Sequence, residues 1–324
     1  MAEQLAANLW RLDIPLVGNP LKNLNSYLLC GRRNLLIDTG FNEATCKAAM
    51  LKQLAELNID LYKTDIFLTH LHYDHSGLST LLHRPGCKIY MSEIDGSLMP
   101  DCGNARRWQQ RYDRCVLDGF TTKETQSLWG TNPAQNRGPE PYKDYIKLPD
   151  GALLDYGGLT LNCLLTAGHT PGHMCLYNAR NKWLFAGDHV LFHITPNICH
   201  WDEVPDSLGD YLQSLRKIQG LDVERIFPAH RAVEGTLAKR VVELQAHHAK
   251  RIAEALSIVK EHPGLTPYEI AALMHWSIKA KNWSSFPLTQ KYFAVGEARA
   301  HLDYLLVRGQ VNCRTEQNKH CYYI

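Results

Sequence analysis

The chain has 324 residues, of which 45% are hydrophobic and 21% charged, values that exclude a disordered chain, a collagen-like fibre and a bundle of membrane spans. Its 35 basic and 33 acidic side chains leave a formal charge of +2, too little for nucleic-acid binding through bulk electrostatics. The length favours one large domain joined to a smaller one. No apolar run approaches the roughly 18 residues of a membrane span, and no basic stretch leads into a hydrophobic signal segment, so the chain reads as cytoplasmic. Ten cysteines without a C-x-x-C pair fit small buried hydrophobes in a reducing compartment better than a disulfide framework.

In chain order, the apolar runs Tyr27 to Cys30 and Leu35 to Ile37 flank a turn-like Gly31-Arg32-Arg33-Asn34 and predict a β-hairpin ending at Asp38. A helix follows, with Ala48, Leu51, Leu54, Ala55 and Leu57 near helical spacing, and then a strand over Asp65 to Leu68 that stops at Thr69-His70. Residues 95–149 are rich in polar and turn residues and too long for a connector, which predicts a partly helical insertion lying over a site. The first pattern then recurs as a weak internal repeat. A hairpin of Cys175 to Tyr177 and Trp183 to Ala186 ends at Asp188, a helix covers about Ser207 to Ile218, and a strand Val223 to Phe227 stops at Pro228-Ala229-His230. Each half thus delivers an aspartate and a histidine at strand ends, and layered β-rich halves flanked by helices would bring the four ends to one edge. From about Glu234 helix formers dominate. Helices are expected over 237–261, over Thr266 to Met274 with a capping box at Thr266 and Glu269, and over Gly296 to Arg308. A closing hairpin from Gly309-Gln310-Val311 to Tyr322-Tyr323-Ile324 completes the outline of a winged helix, and from residue 240 onward eleven basic face seven acidic side chains.

Thr69-His70-Leu71-His72-Tyr73-Asp74-His75 places four candidate metal ligands within six residues, straight after a buried-type strand. Positions 70, 72 and 74 share one side of an extended backbone. His75, as the chain turns into a helix, then presents ligands to two adjacent metals. His169, Asp188 and His230 would complete a set of five histidines and two aspartates, a donor chemistry suited to Zn, Fe, Mn or Co. Packed, hydrogen-bonded histidines explain this density poorly, and a purely structural metal would sit in a closed four-ligand site. Outside the set, His173 is expected to support the loop after His169, and His189 to order the Asp188 turn. His193, His200 and Trp201 stand between pocket lining and surface, and His247-His248 read as a solvated pair on a helix. Arg106, Arg107 and Arg111 read first as a charged exposed helix face and second as contacts to an anionic substrate, while Tyr292, Tyr304 and Tyr322-Tyr323 read as core of the tail.

The motifs T-H-L-H-Y-D-H, G-H-T-P-G-H, F-A-G-D and P-A-H resemble, in order and spacing, the metallo-β-lactamase superfamily over roughly residues 10 to 235. That resemblance implies an α+β fold, a four-layer αββα sandwich, with catalytic domain 1–235, insertion 95–149 and a winged-helix-like domain 236–324. It implies that His70, His72 and His169 hold one metal, that Asp74, His75 and His230 hold a second, and that Asp188 bridges. Asp38, in I-D-T-G, would support the site through hydrogen bonds without being a ligand. The G-H-T-P-G-H form resembles glyoxalase II and lactonase branches more than antibiotic-degrading enzymes, whose common cysteine ligand is absent. The tail, with Gly296-Glu297-Ala298-Arg299-Ala300-His301-Leu302, resembles that of a β-lactamase-like endoribonuclease and of thioesterase relatives. The expected cofactors are two divalent metal ions, zinc first, with iron or manganese as the other candidates. The expected function is hydrolysis of an ester, thioester or lactone by hydroxide at the dinuclear site, with Asp74 as the catalytic residue orienting the nucleophile. The alternative is an endoribonuclease or phosphodiesterase using the same site, and a metabolite-sensing DNA-binding module is a third class that leaves the ligand set without a purpose. Expected partners are a small-molecule ester or thioester, RNA under the alternative, no membrane, and a homo-oligomer as an open option.

Overall fold

The computed structural model describes residues 1–102, 104–131, 137–277 and 280–324. Strands β1 (Glu3–Ala6), β2 (Leu9–Pro15), β3 (Asn23–Leu29) and β4 (Asn34–Ile37) form an antiparallel run, in which Tyr27 lies opposite Ile37 and Leu29 opposite Leu35. The expected hairpin is therefore present, and its second strand ends where Asp38 begins. Helix α1 (Ala44–Glu56) buries Cys46, Met50, Gln53 and Leu54 on one face. Gln53 is fixed by exchanging hydrogen bonds with the backbone of Asp13, accepting at 3.1 Å and donating at 2.9 Å. Strand β5 (Thr64–Phe67) then pairs parallel to β4. Two single-turn helices, α2 (Tyr73–Ser76) and α3 (Ser79–Leu82), lead to β6 (Ile89–Ser92) and α4 (Glu93–Leu98).

Helices α5 (Ala105–Leu117) and α6 (Thr122–Thr131) follow, and β7 (Ile146–Leu148) closes the first sheet, whose seven strands run in sequence order. Strands β8 (Leu153–Tyr156), β9 (Leu159–Leu165), β10 (Met174–Asn178) and β11 (Trp183–Gly187) are antiparallel neighbours in a second sheet. After α7 (Ser207–Gln219), β12 (Arg225–Pro228) adds to it in parallel with β11. The two sheets bury one core between them. Tyr27, Leu29, Ile37 and Phe67 from the first meet Leu161, Cys163, Leu176, Phe185 and Phe227 from the second, so the strand ends carrying functional residues sit on a packed and rigid scaffold.

The chain divides into two compact units, 1–102 with 133–196 and 214–241, and 103–132 with 197–213 and 242–324. The stretch read from sequence as one insertion is thus shared: α4 and β7 belong to the first unit, α5 and α6 to the second. Within the second unit, Cys115 and Phe120 join a core with Ile258, Val259, Ile270, Ala298 and Leu302, drawn from α8 (Leu237–Glu261), α9 (Pro267–Leu273) and α10 (Leu288–Val307). The Thr266–Glu269 capping box forms as expected. The last hairpin, β13 (Asn312–Glu316) with β14 (Lys319–Tyr323), turns at Gln317-Asn318, both left-handed, a two-residue turn that matches the twist of its strands.

His247-His248 are not a solvated pair: His248 is fully buried, with its Nδ1 3.2 Å from His301 Nε2. His200 bonds Asp303 at 2.6 Å inside the second unit, whereas His193, on the first, is half-exposed beside Glu234. Arg106 is exposed, Arg107 pairs with Glu203, and Arg111 lies over the Trp108 ring. Of the tail tyrosines, Tyr322 is fully buried, and Tyr292, Tyr304 and Tyr323 are partly so. All ten cysteines are free thiols. Among the described residues, no helix is long and apolar enough to cross a membrane.

Candidate metal centre

At one edge of the sandwich the strands β4, β5, β11 and β12 stop together, and the loop from β9 to β10 reaches the same edge. Every residue of the expected set follows one of these ends. Ligand-type atoms converge in three groups, each within 4.8 Å: His70, His72 and His169; His70, His75 and Asp188; Asp74, His75 and His230. His72 Nδ1 lies 3.1 Å from His70 Nε2 and 3.0 Å from His169 Nε2. Asp188 reaches His75 Nε2 at 3.6 Å, His169 Nε2 at 3.5 Å and His230 Nε2 at 3.4 Å, while Asp74 lies 3.5 Å from His230 Nε2.

The rings of His75, His70 and His230 are oriented from behind. His75 Nδ1 donates to Asp38 Oδ2 at 2.8 Å, which leaves Nε2 facing the cluster. His70 Nδ1 lies 3.0 Å from Thr69 Oγ1, whose hydroxyl donates onward to Asp38 Oδ2 at 2.8 Å, and Thr69 N–H donates to Asp38 Oδ1. Asp38 makes these contacts from a left-handed backbone, φ 59°, a strained conformation of the kind that concentrates at functional sites. His230 Nδ1 donates to the Asn23 carbonyl at 2.7 Å, and Asn25 clamps the same segment, donating through Nδ2 to the carbonyls of Pro228 and Arg231. Strand β3 of one sheet thereby holds the last candidate ligand of the other. Substituting Asn25 by Ala removes both bonds, leaving the Pro228 carbonyl with its bond from the Tyr27 hydroxyl and the part-buried Arg231 carbonyl without this donor, so we expect a loss of about 1–3 kcal/mol in denaturant unfolding, and unchanged stability would contradict the clamp.

Three residues that sequence reasoning did not single out complete the support. Asp95 is fully buried and accepts hydrogen bonds from Leu71 N–H, Thr170 Oγ1 and Gly172 N–H at 3.0, 2.7 and 2.6 Å. It ties the loop carrying His70 to the loop carrying His169, and burial pushes its carboxyl up to about 6 against those three bonds. Its only sequence signal, the spacing from Ser92, marks a helix start. Asn25 belongs to no motif, and Thr69, at the head of T-H-L-H-Y-D-H, has no metal-donor chemistry to single it out. His173 supports more than its own loop. Its Nε2 accepts from Asp188 N–H at 3.1 Å while Nδ1 faces Thr166 Oγ1 at 2.8 Å, and a Cβ on Gly187 would come within 2.5 Å of that Nε2. His189 is buried beside it, its ring 5.9 Å from that of His173.

The donor set fits divalent cations. His75 Nε2, His230 Nε2 and Asp188 Oδ1 are buried without a hydrogen-bond partner, a costly arrangement that ligation relieves. Donors about 2.0–2.2 Å from one cation stand roughly 3–3.7 Å apart, the spacing seen here. Without cations the cluster shares protons unevenly. Burial pushes His72 down to about 3 and His70 well below the ordinary range. Burial also opposes charge on His75, yet Asp38, Asp74 and Asp188 raise it well above that range, and Asp188 with Asp74 raises His230. Against burial, His75 and His230 hold Asp74 near 2 and Asp188 well below its usual value. The raised histidines favour the folded metal-free chain below pH about 6.5, a contribution lost as pH climbs through their folded values. The lowered carboxylates favour it above pH about 4, a contribution lost toward pH 2. Ligation requires unprotonated imidazole, so zinc titration at neutral pH should release protons, seen as calorimetric heats that vary with the ionisation enthalpy of the buffer. Buffer-independent heats would contradict this.

The family model of the metallo-beta-lactamase superfamily matches residues 20–230, and the chain belongs to that superfamily. It is a metallohydrolase of that fold, with divalent metal binding as the family's property. A metallo-beta-lactamase family protein from Thermus thermophilus superposes with TM-score 0.81 at 27% identity, covering 99% of both chains. A beta-lactamase domain protein from Burkholderia ambifaria shares the fold at TM-score 0.85 and 22% identity, covering 99% of this chain and 94% of its own. Among curated relatives, a beta-lactamase-like protein 2 homolog of Caenorhabditis elegans is 27% identical over 84% of this chain and 78% of that protein. The atrochrysone carboxyl ACP thioesterase of Aspergillus fumigatus is 29% identical over 69% of this chain and 57% of that protein.

Proposed function

We propose that the chain hydrolyses an ester, thioester or lactone at a dinuclear centre, with zinc as the first candidate metal and iron or manganese after it. His70, His72 and His169 would hold one ion, Asp74, His75 and His230 the other, with Asp188 between them. The observation that carries this reading is the convergence of three donor groups whose buried His75 Nε2, His230 Nε2 and Asp188 Oδ1 lack partners. When bound, a pair of divalent ions lowers the pKa of water toward neutrality and draws charge from a carbonyl oxygen. The chain's own groups supply the rest. Asp38 and the Asn23 carbonyl hold His75 and His230 with Nε2 inward, Asp95 fixes the two histidine loops against each other, and Asp74 orients the attacking water as a hydrogen-bond acceptor. The relative named as an ACP thioesterase supports the thioester arm. A cytoplasmic location, with ten free thiols in its favour, a catalytic domain ending near residue 235 and a winged-helix-like tail belong to the same proposal.

The test is a panel of p-nitrophenyl ester, acyl-thioester, lactone and single-stranded RNA substrates, run beside elemental analysis of the purified protein. Ester or thioester turnover that responds little to salt and disappears in His70→Ala is the expected result. RNA cleavage far faster than any ester, steeply weakened by salt, would overturn it in favour of the nuclease.

A further inference from the structure

Asp74 is held differently from the histidines around it. His70, His75 and His230 are each fixed by a hydrogen bond to a group outside the cluster. The Asp74 carboxylate makes no such bond among the described residues and faces His75 and His230 at 3.7 and 3.5 Å. Its place is therefore set by its backbone, in the single-turn helix α2. There His75 and Ser76 N–H donate to the His72 carbonyl, and Gly77 N–H donates to that of Tyr73. One turn is far too short to be stable alone, so support has to come from what packs on it. Thr39 supplies part, donating through its N–H and its hydroxyl to the His75 carbonyl, both at 2.7 Å.

Residues 137–140 supply more. A Cβ on Gly138 would lie 2.9 Å from Cζ of the Tyr73 ring, and one on Gly77 would lie 2.6 Å from the Arg137 carbonyl oxygen and 2.5 Å from Asn42 N. This strap, α2 and the loop after Asp38 thus meet with no room for a methyl group. The strap is pinned at both ends. Asn42 N–H donates to the Arg137 carbonyl at 2.9 Å, and Asn42 Nδ2 to the Gly138 carbonyl at 3.1 Å. Arg137 Nε lies 3.2 Å from Glu43 Oε2, with the guanidinium over the Phe41 ring. At the far end Glu140 N–H donates to Thr80 Oγ1 at 3.0 Å, and Tyr142 packs against the rings of His83 and Tyr145.

We propose that residues 137–140 are a positioning strap for the ion held by Asp74, His75 and His230. By packing on Tyr73 and Gly77 they fix the α2 backbone, and with it the carboxylate that has no other support. The assignment rests on the dinuclear reading above and deepens it, because it makes the two ions unequal. His70 and His72 precede α2 and His169 lies on another loop, so loosening the strap spares the ion that those three would hold.

The experiment titrates cobalt(II) into the metal-free full chain, read by visible absorption and elemental analysis, beside amide hydrogen exchange and thermal melting of the metal-free protein. Wild type should take up two ions. Asn42→Ala combined with Arg137→Met unpins the strap without touching a ligand. It should weaken the second ion about 10–100-fold, the usual range when a group behind the ligands is removed, and leave the first unchanged. Exchange at His75, Ser76 and Gly77 should quicken in the metal-free variant, while Arg137→Lys alone, which keeps a cation for Glu43, should behave as wild type. Equal weakening of both ions in step with a lower melting temperature would reduce the strap to a stability element and overturn the proposal, as would two unchanged affinities. If the double variant does not fold, Gly138→Ala, whose new methyl meets only the Tyr73 ring, carries the same comparison. A wild type that holds a single ion sinks the dinuclear reading instead. The exchange rates then decide the strap, upheld if they rise in the variant and refuted if they do not.

Discussion

Replacing Asp188 by alanine should abolish cation retention and turnover together, lowering hydrolysis by about a thousandfold, or ~4 kcal/mol of barrier. Asp188 lies within 3.6 Å of His75, His169 and His230, so it touches members of every donor group, and its backbone position is set by His173. Without its carboxylate, His75 and His230 lose a counter-charge that keeps them raised, and the proposed centre loses the anionic donor that would lie between its two ions. Elemental analysis after gel filtration and initial rates on a thioester read the two effects separately. A variant that keeps both metal content and rate would remove Asp188 from the centre.

Asp38→Ala should produce the largest loss of stability, about 3–5 kcal/mol in the metal-free chain, because it leaves buried charge and donors uncompensated. Asp38 accepts from Thr69 N–H, Thr69 Oγ1 and His75 Nδ1, and alanine must also occupy φ 59° without the local hydrogen bonds that make aspartate tolerable there. Asp38→Asn keeps that tolerance but turns an N–H toward existing donors, so we expect a smaller stability loss and about 10–100-fold weaker metal binding. Denaturant unfolding with chelator present, beside zinc affinity, distinguishes the two. Wild-type behaviour in Asp38→Ala would contradict the bonding described.

The crowded part of the site was readable because H-x-H-x-D-H is dense and because Asp188 and His230 each end an apolar run. The supports were hidden by distance along the chain. Asp95 meets partners 24 and 77 residues away, and Asn25 meets carbonyls 203 and 206 residues away, so neither shows a local pattern. The misreading of His248 has a related cause: helical position alone does not reveal that His301 stacks against one face. The closing hairpin between Gly309 and Ile324 is present, but its turn at Gln317-Asn318 carries no glycine signal, because side chains with Cβ atoms take up the left-handed backbone there. The hairpins and the parallel strands were legible because their apolar runs are short and bounded by turn residues or by the site's own polar residues.

The drawing of the candidate ligands from both sheets has a consequence during synthesis. A nascent chain that has passed residue 75 already displays His70, His72, Asp74 and His75, yet β12 and its His230 come last of the strands in the sandwich. If these residues hold cations as proposed, the full donor set is available only once that final strand has emerged, while residues 242–324 are still being added at about 5–20 per second. A ribosome pausing before it would expose a thirsty, half-built chelator to whichever ion the cell holds in excess.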